Sequence, residues 1–367
     1  MSAALDRRAL LRLAGGLTAT AALGSTLPAT ATATVDERAG GRRRGLRDLA
    51  ARRGLAVGTA VDMAALVDDA RYRDVVVREF DSVTAENVMK WEAVEPERGR
   101  LDFAAADALV RFARRHRQVV RGHTLVWHNQ LPSWLTDGGF GDAELRSILR
   151  RHVHQEAGHF RGRLTAWDVV NEPFEEDGSM RDTIWLRALG PEYVEDALRW
   201  ASHADPRARL YVNDYNVEGL GPKSDAMYAL VTRLRRRGVP VHGVGIQGHL
   251  SIAYDFPAGV VENVRRFTDL GLEVALTEVD VRMPLPVTEE KLAVQADYFD
   301  RLLRACLAER RAVSYTVWGF TDRYSWVPGT FPGEGAATPF DADYRRKPAY
   351  LALRDALTDH PRSALPS

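Results

Sequence analysis

The chain has 367 residues, 50 Lys+Arg balanced by 50 Asp+Glu, with 45% hydrophobic and 8% aromatic residues. Ordinary apolar content without dominating charge excludes disorder, and a formal net charge of zero gives no electrostatic reason to bind nucleic acid or an anionic membrane. One cysteine, Cys306, excludes an intrachain disulfide and a Cys-based zinc site, and the scarcity of Lys among the basic residues reads as codon usage.

The N-terminus reads as an address. Asp6-Arg7-Arg8-Ala9-Leu10-Leu11-Arg12 is a twin-arginine pair, followed by a modestly apolar stretch to Leu27 and a small-residue exit, Ala29-Thr30-Ala31-Thr32-Ala33. Residues 1–33 are therefore expected to be a Tat-type signal peptide and the mature protein to be secreted and extracellular. The apolar stretch is too short and too rich in Gly and Thr to span a bilayer, so no membrane contact is expected of the mature form. Residues 34–45, with Arg42-Arg43-Arg44, read as a solvated linker, residues 46–358 as one catalytic domain and 359–367 as a tail. No second module is expected after Leu357, and the protein is expected to act as a monomer.

Short apolar or β-branched runs that end in polar residues then recur eight times. Strands are predicted at Ala56–Val61, Ser82–Asn87, Val119–Trp127 and Ala166–Asn171, then at Leu210–Asp214, Gly243–His249, Glu273–Val279 and Ser314–Phe320. Between them lie amphipathic segments of helical length: Phe103–His116, Ala143–His159, Tyr193–His203, Ser224–Arg237, Ala258–Leu270 and Glu289–Glu309. Eight βα units without a second composition zone predict a single (β/α)₈ TIM barrel. A doubly wound sheet is the alternative. Gly243-Val-Gly245-Ile-Gln-Gly248 does match the dinucleotide fingerprint, but His249-Leu250-Ser251 follows where a helix should start.

In a barrel, the chemistry sits at the C-terminal ends of the strands. Those ends carry Glu86, Asn87 and Lys90; His123, Trp127 and Gln130; Asn171 and Glu172; Asn213 to Asn216; Gln247 and His249; Glu278 and Asp280; and Trp318. Amides and carboxylates for hydroxyl groups, with indoles for C–H faces, suit a neutral polyhydroxylated ligand. Glu172 and Glu278 stand out, because glycosidic hydrolysis needs two carboxyl groups flanking the bond. Strands ~4.8 Å apart and tilted ~36° put the fourth and seventh about 14 Å apart, leaving roughly 6 Å between the carboxyls. That spacing permits either a retaining or an inverting reaction. Asp280, two residues after Glu278, is expected to face the barrel interior with it, while Thr277 and Val279 face the helices.

Gly122-His-Thr-Leu-Val-Trp-His-Asn-Gln130, Trp167-Asp-Val-Val-Asn-Glu-Pro173 and Thr277-Glu-Val-Asp-Val281 resemble the motifs of the family-10 glycoside hydrolases, the endo-1,4-β-xylanases. So do Glu86-Asn-Val-Met-Lys-Trp-Glu92, Thr316-Val-Trp-Gly-Phe320 and Ser325-Trp-Val327, and the resemblance runs from about Leu46 to Leu357. It implies a retaining double displacement on xylan or xylo-oligosaccharides, with Glu172 as acid/base, Glu278 as nucleophile, and neither cofactor nor metal. It also implies that Asn171 bonds the substrate 2-hydroxyl and that Asp280 supports His249 against the nucleophile. His123, Lys90, Trp127, Gln247 and Trp318 would surround the sugar cleaved at its anomeric carbon. Glu86, Asn87, Gln130 and Trp326 would surround the next sugar, with Tyr215 and Asn216 on the leaving-group side. Ala85 departs from the family's usual Pro, and Ala312 stands where many members have a second Cys. Trp91, Trp134, Trp185 and Trp200 are assigned to packing. The competing readings are a β-1,4-glucanase of the same barrel clan, a non-catalytic carbohydrate-binding barrel, and a metal-dependent hydrolase using His123, Asp214, His249 and Glu278.

Overall fold

The computed structural model describes residues 44–359. The segment predicted as a signal peptide, nearly all of the predicted linker and all but the first residue of the predicted tail lie outside the described residues. The barrel strands are β1 (Ala56–Val61), β2 (Ser82–Ala85), β3 (Val119–Val126), β4 (Ala166–Asn171), β5 (Arg209–Asp214), β6 (Gly243–Ile246), β7 (Glu273–Pro284) and β8 (Ala312–Val317). Each pairs in parallel with the next, and β8 pairs with β1, so the sheet closes on itself. Helices on the outside are α1 (Ala70–Glu79), α2 (Ala104–Arg115), α3 (Asp142–His159), α4 (Tyr193–Ala204), α5 (Pro222–Arg236), α6 (Val260–Asp269), α7 (Glu289–Leu307) and α8 (Pro348–Asp359). The chain is a (β/α)₈ barrel, as its alternating pattern predicts. Among the described residues no helix is long and apolar enough to cross a membrane.

Strand interiors are buried on both faces because helices cover the outside and side chains fill the inside. The apolar stripe of α2 (Ala106, Leu109, Val110, Phe112, Ala113) turns inward. Phe103, predicted to open that stripe, instead sits at the N-cap and stacks on His159 at 4.0 Å. Neither α1 nor α8 had a range assigned from the sequence. α1 is set by its cap, where Asp69 accepts from the backbone N–H groups of Arg71 and Tyr72.

Strand β6 is shorter than expected. Gly248 takes a left-handed turn (φ 80°), and the chain resumes as a separate strand, His249–Ser251, paired with the extended end of β7. The fingerprint-like glycines have a packing role. A Cβ on Gly243 would lie 2.2 Å from the Tyr211 ring, and one on Gly245 would lie 2.2 Å from Asn213 Oδ1. Bare backbone on β6 makes room for two β5 side chains inside the barrel.

Regular alternation fails where the polar strand ends begin. The register shifts between His123 and Val126 on β3, between Asp168 and Val170 on β4, and between Leu276 and Val279 on β7. Such irregularities re-aim the residues that follow. On β4, Asp168 and Asn171, three apart, both reach the interior network. On β7, Thr277 faces the interior as well, against the sequence expectation, and its hydroxyl donates to Asn213 Oδ1 at 2.7 Å. The shift lets Thr277, Glu278 and Asp280 all contribute to one site.

Candidate active site

Glu278 is 4% exposed and meets three side chains from three strand ends. Asn213 Nδ2 donates to Glu278 Oε1 at 2.7 Å, His249 Nε2 lies 3.2 Å from Oε2, and His123 Nδ1 lies 3.8 Å from Oε1. Burial opposes a charge here, but His123 and His249 outweigh it and hold the carboxyl below its ordinary range. His249 Nδ1 lies 3.0 Å from Asp280 Oδ1. Burial again opposes the charge, yet the carboxylates of Asp280 and Glu278 push the imidazole up to about 10. The result is a buried carboxylate–imidazolium–carboxylate row.

Glu172 lies at the end of β4 in a left-handed conformation (φ 55°), as do two other non-glycine site residues, Gln130 (49°) and Asn216 (55°). Its N–H donates to the Asn213 carbonyl at 2.8 Å and its carbonyl accepts from Arg181 Nε at 3.0 Å. Gln247 Nε2 and Asn171 Nδ2 approach its Oε1 at 3.3 and 3.4 Å, and His128 Nε2 lies 3.9 Å from Oε2. Asn171 Oδ1 accepts from Asn213 Nδ2 at 2.8 Å. A short amide chain, Asn171 to Asn213, therefore joins the two glutamates. Glu172 retains more solvent access than Glu278, with side-chain exposures of 11% and 6%.

Lys90 is buried below the cleft; its Nζ donates to Asn87 Oδ1 at 3.1 Å and lies 5.0 Å from the Trp127 ring centre. Burial lowers its pKa, against the pull of Glu278, Glu86 and Glu172. Burial, reinforced by Asp62 and resisted by Lys90, raises Glu86 to about 7. Gln130 Nε2 reaches Glu92 Oε1 at 2.8 Å and Asn87 Oδ1 at 3.4 Å. Trp318 is nearly buried, edge-on to His123 and His249 at 5.2 and 6.3 Å. Trp326 gives its indole N–H to Asp280 Oδ2 at 2.7 Å, so this carboxylate holds both His249 and an indole. The Tyr215 hydroxyl accepts from Arg181 Nη2 at 2.9 Å, and Asn216 Nδ2 donates to Glu176 Oε2 at 3.0 Å.

Of the four residues in the metal reading, Asp214 is committed elsewhere. Its carboxylate pairs with Lys223 at 3.1 Å and accepts from the N–H groups of Phe174 and Tyr215. Trp91 and Trp185 stack with each other, and Trp91 also stacks on His152 at 3.5 Å, well inside the core.

Sequence reasoning placed Asn213 at a strand end, and His128 and Asp168 in motifs, without giving them a role, and it missed Arg121 and Arg181. Asn213 had a usable signal, because it lies two residues after Tyr211 on the same strand face. Asp168 accepts from Arg121 Nε at 3.0 Å and lies 3.1 Å from His123 Nδ1, forming a floor under Glu278. Arg181 sits in a loop with no period to reveal it.

Residues 45–356 match the family model described as glycosyl hydrolase family 10. An endo-1,4-β-xylanase of Agaricus bisporus is 47% identical over 300 residues, covering 81% of this chain and 90% of that protein. Endo-1,4-β-xylanase B of Thermotoga neapolitana is 43% identical over 86% of this chain and 92% of its own. Among solved structures, xylanase 10B of Thermotoga petrophila RKU-1 in complex with xylobiose superposes with a TM-score of 0.84 at 40% identity, covering 87% of this chain and 99% of that one.

Proposed function

The chain belongs to glycosyl hydrolase family 10 and is a glycoside hydrolase of the endo-1,4-β-xylanase kind; from that premise we propose that it cuts internal β-1,4 bonds of xylan with retention, using Glu278 as nucleophile and Glu172 as acid/base. The observation that carries this reading is the unequal environment of the two carboxyls. Glu278, facing His249, His123 and Asn213, is kept as an anion aimed into the site. Glu172 has more access to water, and Arg181 links its carbonyl to Tyr215, which the family resemblance assigns to the side where the leaving sugar would depart.

In the first step Glu278 attacks the anomeric carbon as Glu172 gives its proton to the departing oxygen, leaving a glycosyl ester on Glu278. Water then enters, Glu172 takes its proton, and the ester is displaced from the opposite face, restoring both groups. Asn171 is suited to bond the 2-hydroxyl of the sugar undergoing cleavage, a contact that strengthens in the transition state. Glu86, Asn87, Lys90, His123, Trp127, Gln130, Gln247, Trp318 and Trp326 are proposed to bind that sugar and its neighbour. Xylobiose bound to the Thermotoga petrophila structure supports a xylose-chain ligand.

Replacing each glutamate tests the assignment. Glu278→Ala is expected to abolish turnover of every substrate. Glu172→Ala should keep the first step with aryl xylobiosides whose leaving groups need no proton. Equal loss on all substrates in both variants would contradict the division of roles.

A further inference from the structure

The loop after β4 folds back on itself and closes with Arg181. Phe174 and Met180 form an antiparallel bridge, Glu175 N–H donates to the Ser179 carbonyl at 2.9 Å, and Arg181 N–H donates to the Pro173 carbonyl at 2.8 Å. The Arg181 side chain then reaches back across the loop, only 8% exposed as a residue. Nε donates to the Glu172 carbonyl at 3.0 Å, Nη2 to the Phe174 carbonyl at 2.8 Å and to the Tyr215 hydroxyl at 2.9 Å, and Nη1 to the Glu175 carboxylate at 3.2 Å. A planar fork can serve four acceptors from fixed directions; a single ammonium cannot.

Two of those acceptors bear on the chemistry. Glu172 stands in a left-handed conformation that is strained for a non-glycine residue and persists only where neighbours impose it. Its N–H is held by Asn213 and its carbonyl by Arg181, so its backbone is fixed from both sides, and the backbone aims the carboxyl. The same Nη2 that holds the Phe174 carbonyl also holds Tyr215, the residue that the family resemblance assigns to the leaving-group side.

We propose that Arg181 is a positioning residue for proton transfer: by clamping the Glu172 carbonyl and the Tyr215 hydroxyl in one fork, it keeps the acid/base in register with the leaving-group oxygen. The proposal rests on Glu172 being the acid/base. A residue acting this way matters in proportion to how badly the leaving group needs a proton. A residue that only supports the fold affects all substrates alike.

The test measures kcat/KM, which reports the glycosylation step, on aryl xylobiosides whose leaving groups span a wide range of acidity. Arg181→Met and Arg181→Lys are compared with the wild type and with Glu172→Ala, and melting temperatures are recorded for each. With the poorest leaving group both Arg181 variants are expected to lose about 100-fold or more, within the span general acid catalysis supplies, and with the best less than about 5-fold. Lys keeps the charge, so its failure to rescue would place the effect in the fork geometry. A uniform loss across the series, with or without a lowered melting temperature, overturns the proposal, as does full activity in Arg181→Lys. If Glu172→Ala itself shows no dependence on leaving group, the acid/base assignment has failed. If it shows one and the Arg181 variants do not, only the role of Arg181 has failed.

Discussion

At the scale of single residues, the site depends on placing charge where burial resists it. Asp280 is the economical part: one oxygen faces His249 and the other accepts from Trp326, so a single carboxylate supports both the imidazole partner of Glu278 and an indole. His249 has a folded-state pKa of about 10, raised from 6.5, so its stabilising contribution is complete below 6.5 and is lost as pH rises through about 10. Glu278 is shifted the other way; its contribution is present above 4.5 and is lost as pH falls through its depressed value. Between those limits His249 and Glu278 both stay charged. In Asp280→Asn, we expect the His249 imidazole to titrate at lower pH by NMR. As pH rises the variant should lose that imidazolium sooner than the wild type, so its thermal stability should begin to fall at lower pH. An unmoved His249 titration would mean that Asp280 does not support the imidazolium.

At the scale of elements, eight strands and six of the helices were legible because burial imposes periods of about two and 3.6 residues. The two glutamates were legible as well, since strand ends at the top of a barrel are where such groups gather. The register shifts were not. Strict alternation predicts Thr277 outward, and only the shift between Leu276 and Val279 turns it to Asn213. A bulge leaves no local pattern in one sequence, which is also why Asp168 was passed over. The structure sharpens the reading of Trp326, whose indole is pinned by Asp280 and stands 5.0 Å from His249. A fixed indole over the cleft would cost xylose nothing and crowd the extra hydroxymethyl of glucose. The wild type is expected to prefer an aryl xylobioside over the aryl cellobioside by at least about tenfold in kcat/KM, worth ~1.4 kcal/mol. Trp326→Ala should erode that preference. Trp326→Phe, which keeps a ring but loses the pin, should fall between. A missing preference in the wild type would favour the glucanase reading, and one that survives both changes would move the discrimination to Trp318.

For the molecule as a whole, the barrel must be closed where its first and last segments meet. Glu79, at the end of α1 and fully buried, does this: it accepts from the Leu46 N–H and the Tyr350 hydroxyl, both at 3.0 Å, and from Arg346 at 3.1 Å. Burial opposes its charge, but Arg78 and the Leu46 N–H prevail and lower its pKa. Its stabilisation is therefore present above the ordinary Glu value of 4.5 and is lost as pH falls through the lowered one. Glu79→Gln should destabilise the fold at neutral pH by about 1–3 kcal/mol, the cost of mismatched buried donors. Thermal melts should show the gap from the wild type narrowing in acid. A gap independent of pH would assign the loss to packing.

The central claim, a double displacement through Glu278 with Glu172 as acid/base, is tested most directly by the product that Glu172→Ala forms from an aryl xylobioside in the presence of azide. Without its base the variant accumulates the glycosyl ester, and azide, which needs no proton removed, attacks from the face that water would have used. The account predicts faster turnover with azide and a xylobiosyl azide of β configuration, read from the anomeric coupling in the NMR spectrum. An α-azide, or no azide product from an otherwise folded variant, would contradict it.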